Sequence, residues 1–198
     1  MKRWVTAAVL ALAISGGAYG DALVLTQPVI NALTPIDSMP SSTQINGVFN
    51  GSEVEALSNL TAIALAQGTV DLGVQLRAIR ALTHYCKAPC GTHEVHTTIE
   101  TIATTPRYRD ARRGSDVLVL RAAIEALGVL RIPGDVDILL PQLDHPSRDI
   151  RAATARALRD LGNTQAIPTL RARYQQEQVK QVSIAISDAL RVLGQPIQ

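Results

Sequence analysis

The chain has 198 residues, 46% of them hydrophobic and only 3% aromatic, with a formal net charge of +2. Lys2 and Arg3 account for that charge, and the residues beyond position 20 hold 17 basic against 17 acidic side chains. A neutral body gives no case for nucleic acid, which needs a net or clustered positive field, and so few aromatics point away from a pleated sheet and toward helices packed through small aliphatics.

At the N-terminus, Lys2 and Arg3 precede an apolar run from Trp4 to Ile14, and Ala18-Tyr19-Gly20 sets small residues at the positions a signal peptidase reads. This predicts an export signal over residues 1–20, cleavage near Gly20 and a periplasmic or secreted mature chain beginning at Asp21. The run is well short of the ~20 residues a spanning helix needs. No cysteine follows it to accept a lipid and no second apolar segment appears, so no stable membrane insertion is expected after cleavage. Residues 21–52 contain Pro28, Pro35, Pro40 and the run P-S-S-T. They read as an extended leader, with Ile45, Val48 and Phe49 as anchors.

A helical-repeat domain is expected over residues 53–198. Its first helix runs from Glu53 to Gln67, with Val54, Leu57, Leu60, Ile63 and Ala64 on one side and Gly68 as its stop. Four later segments then superpose without gaps. They are V-Q-L-R-A-I-R-A-L-T-H-Y-C (Val74 to Cys86), V-L-R-A-A-I-E-A-L-G-V-L-R (Val119 to Arg131), I-R-A-A-T-A-R-A-L-R-D-L-G (Ile150 to Gly162) and V-S-I-A-I-S-D-A-L-R-V-L-G (Val182 to Gly194). Each has a β-branched residue first and Ala-Leu at its eighth and ninth places. The starts lie 45, 31 and 32 residues apart. A period near thirty means stacked helix pairs, in which no unit buries its apolar face alone.

Second helices fall between these copies. Val95, Ile99 and Ile102 are at helical spacing within Glu94 to Ala103. Asp137 to Leu143 and Ala166 to Tyr174 each carry an early proline, where a missing N–H is tolerated. Turns are marked by Pro133-Gly134, by His145-Pro146-Ser147 with Asp149 as a cap, and by Gly162-Asn163. The cluster Arg107, Arg109, Arg112 and Arg113, with Asp110 among them, reads as a solvated interhelical loop in preference to an anion site.

The stretch I-R-A-A-T-A-R-A-L-R-D-L-G-N-T-Q-A-I-P-T-L, Ile150 to Leu170, with its lead-in L-D-H-P-S-R-D-I-R from Leu143, resembles a HEAT-like repeat of the kind also found in phycobilisome lyases and in bacterial scaffold proteins. The other copies keep the apolar framework but lack the arginine at the second place. Taken over roughly Glu53 to Gly194, the resemblance implies an all-α solenoid of about four stacked helix pairs, with a curved face for a partner. It names no partner, since a fold carries no function by itself.

Thr83 to His96 (T-H-Y-C-K-A-P-C-G-T-H-E-V-H) holds both cysteines and three of the four histidines. In an exported protein two cysteines fit one disulfide, Cys86 with Cys90, closing a small loop at an interhelical corner. The alternative is zinc on Cys86, Cys90, His93 and His96, with His84 as a spare, a possible tetrahedral set at unusual spacing. A redox role is weaker, because C-x3-C is not C-x2-C. On the disulfide reading the histidines are surface residues of a turn. Nucleophile elbow, phosphate loop, dinucleotide fingerprint and HExxH are all missing from the sequence, so no catalytic residue and no cofactor is assigned and an enzyme is not expected. Two functions remain: an exported scaffold that binds a protein or peptide, or a metal- or redox-responsive protein working through the Cys86 to His96 corner.

Overall fold

A computed structural model describes residues 26–34, 39–67, 70–86 and 93–194, and every regular element among them is helical. The export signal and Cys90 lie outside the described residues. The α-helices are α1 (Gln27–Leu33), α2 (Ser42–Val48), α3 (Glu53–Ala64), α4 (Leu72–Leu82), α5 (His93–Thr104), α6 (Pro106–Arg109), α7 (Ser115–Leu130), α8 (Val136–Leu139), α9 (Arg148–Leu161), α10 (Ile167–Gln176) and α11 (Lys180–Val192). Short 3-10 turns occupy Thr83–Tyr85, Pro133–Asp135, Leu140–Asp144 and Thr164–Ala166.

The four repeat copies are α4, α7, α9 and α11, which stack on one another in that order to form one layer of an all-α solenoid. Behind them α3, α5, α8 with the turn after it, and α10 form the second layer, each against its own repeat helix. The shared sequence pattern is the seam between the layers. The Ala-Leu pairs (Ala81-Leu82, Ala126-Leu127, Ala157-Leu158, Ala189-Leu190) are all at most 3% exposed, and Val74, Val119, Ile150 and Val182 at the first places are buried with them. Small residues let backbones approach: a Cβ placed on Gly128 would stand 2.7 Å from the Cα of Ala157, so α7 and α9 touch through glycine. Helix ends follow local chemistry. Asp71 accepts from the N–H groups of Gly73 and Val74 to start α4, and Gly162, at φ +74, closes α9 by donating to the carbonyls of Leu158 and Arg159.

Several expectations need correction. The leader is not extended over its described part but forms two short helices. Pro28 occupies the first turn of α1, and Ser41 and Gln44 make a reciprocal capping box on α2. Ile45 is buried, and Val48 and Phe49 pack against the core, as anchors should. Val54 is 80% exposed, so the apolar side of α3 is instead Ala56, Leu60, Ile63 and Ala64. That helix ends at Ala64, before the left-handed Ala66, and Gly68 lies outside the described residues. Pro141 divides its segment rather than opening it: α8 stops at Leu139 and a 3-10 turn follows, because the ring removes a donor and crowds the preceding turn. Ser147 stands at the N-cap of α9, with Asp149 inside the first turn near the positive end of the helix. The arginine cluster includes the ordered helix α6. Arg107 pairs with Asp116 through two hydrogen bonds of 3.2 and 3.1 Å, and Arg109 with Asp110, while Arg112 and Arg113 are exposed.

Candidate functional site

The cysteine and histidine corner is only partly within the described residues. Cys86 follows the 3-10 turn after α4, half-buried against the core, and the side chains of Cys90 and His93 lie outside the described residues. His84 and His96 are both engaged elsewhere. His84 Nδ1 is 3.1 Å from the carbonyl oxygen of Pro40, beside Tyr85, whose hydroxyl donates to Asn46 Oδ1 at 2.7 Å. These bonds dock the leader on α4. Burial, assisted by Glu53, pushes the Tyr85 hydroxyl up to about 12, so it remains a donor at any ordinary pH. His96 is not a solvated turn residue. It sits half-buried on α5 with Nε2 2.7 Å from Asp135 Oδ1, across the next unit, and Nδ1 3.9 Å from Glu100 Oε2. Among the described residues no three His, Cys, Asp or Glu side chains form a group able to hold a metal.

A second cluster, in the α9–α10 unit, is structural. Arg151 is the arginine at the second place of the third copy; it is 9% exposed and faces Glu177, which is 1% exposed. Its Nε donates to Glu177 Oε2 at 2.7 Å and its Nη2 to Oε1 at 2.9 Å, while Nη1 donates to the carbonyls of His145 and Pro146. Arg173 adds two more donors to Glu177 and reaches Asp144 with Nη1. The hydrogen bonds from Arg151, then that from the Val179 N–H and those from Arg173, outweigh burial and hold the Glu177 carboxyl at about 2. The clamp fastens the turn before α9 to the turn before α11, and both carboxylate oxygens of Glu177 are taken by these arginines.

The open surface is the free side of the repeat-helix layer. Read at the seventh place of the four copies, the residues are Arg80, Glu125, Arg156 and Asp188, alternating in sign. Arg80 Nη2 reaches Glu125 at 3.5 Å from the preceding helix, and Arg121 donates to the same carboxylate at 2.8 Å. Arg159 donates across to Asp188 at 2.7 Å and Arg191 at 2.6 Å, and together they hold that carboxyl below its usual range. Arg159 also donates to Asp160. Both carboxylates of the ladder are therefore doubly occupied by other arginines. Arg156, half-buried between them, has no hydrogen bond or ion pair among the described residues, and neither has the exposed Lys180.

These two cations line a groove of about 600 Å³ between α9 and α11, which Gln181, Ile184 and Ala185 also line. A smaller depression of about 420 Å³ lies on the far side of α11, bounded by Tyr174, Ser183 and Arg191. Ile184, 59% exposed, lines both and forms the ridge between them. The sequence signal for this site was the alternating seventh place, visible once the copies are aligned; pairwise occupancy of the acids was not visible.

Comparison with known proteins bears on the fold. Residues 105–191 match the family model of HEAT repeats, which covers the units carrying both the clamp and the groove. No curated protein and no solved structure matches the chain.

Proposed function

We propose that the chain is an exported, non-catalytic helical-repeat scaffold that binds a protein or peptide partner on the free face of α9 and α11. The observation that carries the reading is the groove with a large aliphatic ridge left open at its edge, beside carboxylates, Glu125 and Asp188, that are each engaged by two arginines. HEAT repeats commonly mediate contacts between proteins, and an elongated array offers such a surface without needing a catalytic pocket. Export rests on the basic start, apolar run and small-residue site of residues 1–20. A Cys86–Cys90 disulfide accords with that compartment and with Cys86 not being a free thiol.

The test is a photoreactive amino acid placed at Ile184 in the native host, with Thr104 on α5 as the control position. A defined covalent adduct at Ile184 and none at Thr104 supports the reading; equal labelling at both refutes it. The alternative, a metal- or redox-responsive protein using the Cys86 to His96 corner, would require His96 to leave Asp135. It predicts that the Cys86→Ser/Cys90→Ser double variant loses the adduct, whereas the scaffold reading predicts the same adduct from both proteins.

A further inference from the structure

We infer that the α9–α11 groove takes an extended acidic peptide segment carrying one aliphatic side chain; the inference rests on the partner-binding reading above and specifies its chemistry. Four cations border the groove and its neighbouring depression: Arg156, Arg159, Lys180 and Arg191. The carboxylates within reach are Asp188, which Arg159 and Arg191 both engage, and Asp160, which Arg159 engages. Glu125, the acid at the equivalent place of the preceding helix, is held by Arg80 and Arg121. Two positive charges are left over, Arg156 and Lys180.

A half-buried guanidinium has lost part of its hydration but keeps all five donors in a planar fork, which a carboxylate matches with two parallel bonds. Glu125 and Asp188 are already engaged, so the attraction is local and selects an acid at one place rather than a polyanion along the layer. Beside that charge the surface turns apolar. Ala185 is buried and Ile184 projects, so an aliphatic side chain following the acid would cover the ridge and remove apolar surface from water. A groove of about 600 Å³ holds a few side chains, not a folded domain. The ligand is accordingly a segment, with acid and aliphatic residues adjacent.

The probe is an acetylated, amidated peptide of sequence G-E-E-L-E-E-G, titrated into the isotopically labelled protein as recovered after export and followed by backbone amide shifts. The comparison probes are G-Q-Q-L-Q-Q-G, G-E-E-S-E-E-G and an oligothymidylate of similar length. The acidic leucine peptide should shift the amides of Arg156, Lys180 and Ile184. Exchanging its acids for glutamine, or the protein's Arg156 for glutamine, should weaken binding about tenfold. Lys180→Gln, at an exposed position, should weaken it in the same direction and guards against a folding defect at Arg156. Equal binding of the glutamine peptide, tighter binding of the oligothymidylate, or no shift at millimolar peptide overturns the assignment. A crosslinked partner at Ile184 together with any of these results leaves the scaffold reading standing and removes the acidic class; no adduct and no shift removes both.

Discussion

Replacing Glu177 by glutamine should remove the centre of the clamp while preserving its shape. The side chains of Glu177 and Arg151 are 1% and 9% exposed, so the substitution leaves Arg151 and Arg173 to share one amide oxygen, with an NH2 group facing guanidinium donors where the second carboxylate oxygen stood. Breaking a buried pair on one side destabilises by about 3–5 kcal/mol. For a chain of this size that lowers the thermal midpoint by about 10 °C or more. The pH dependence gives an independent check. The Glu177 carboxyl lies at about 2 when folded against 4.5 ordinarily, so its contribution is fully present above 4.5 and is lost as pH falls toward 2. The difference corresponds to about 3 kcal/mol. Urea unfolding of wild type and Glu177→Gln at neutral pH and through this acid window should show a gap that narrows on acidification. A gap below about 1 kcal/mol at neutral pH, or one that does not change with pH, would refute the account of the clamp.

Two further outcomes follow from the packing. Gly128→Ala should lower stability by about 1–3 kcal/mol in thermal unfolding, and Ala157→Gly should not rescue it, because the nearest atom is the backbone Cα of Ala157 at 2.7 Å. Burial raises the Asp135 carboxyl above its ordinary range, so its contribution is full below that range and is lost as pH rises through the raised value. Asp135→Asn should therefore gain on the wild type in urea midpoints as pH rises, and a difference independent of pH would count against the burial.

The stacked helices were legible because their information is periodic and local. Ala-Leu at fixed places in four copies, with β-branched residues at the starts, is enough to find α4, α7, α9 and α11 and to know which face they bury. The leader was not legible for the opposite reason. A seven-residue helix such as α2 is marginal alone, and it persists through the Ser41–Gln44 box and through Tyr85 and His84, some forty residues away, which bond to Asn46 and Pro40. Val54 misled because it stands one turn before the half-buried Leu57, yet at about 100° per residue it falls on nearly the opposite side of α3 from the buried Ala56, Leu60 and Ile63.

Arginine best marks where periodicity stops being informative. Arg151, Arg156 and Arg159 lie within nine residues of one helix, and their sequence settings are alike. One is buried against Glu177, 26 residues on, and holds two turns together. Another crosses to Asp188, 29 residues on, and ties α9 to α11. Arg156 has no ion pair among the described residues, while Glu125 and Asp188, the acids at the same place of the neighbouring helices, are each engaged by two other arginines. Which arginine is structural and which is available depends on the occupancy of distant carboxylates, a property of the assembled layer. Repetition thus builds the frame, and the exception to its pairing supplies the site: of the four residues at the seventh place, Arg156 alone has no ion pair among the described residues, and it offers its charge to the groove together with Lys180.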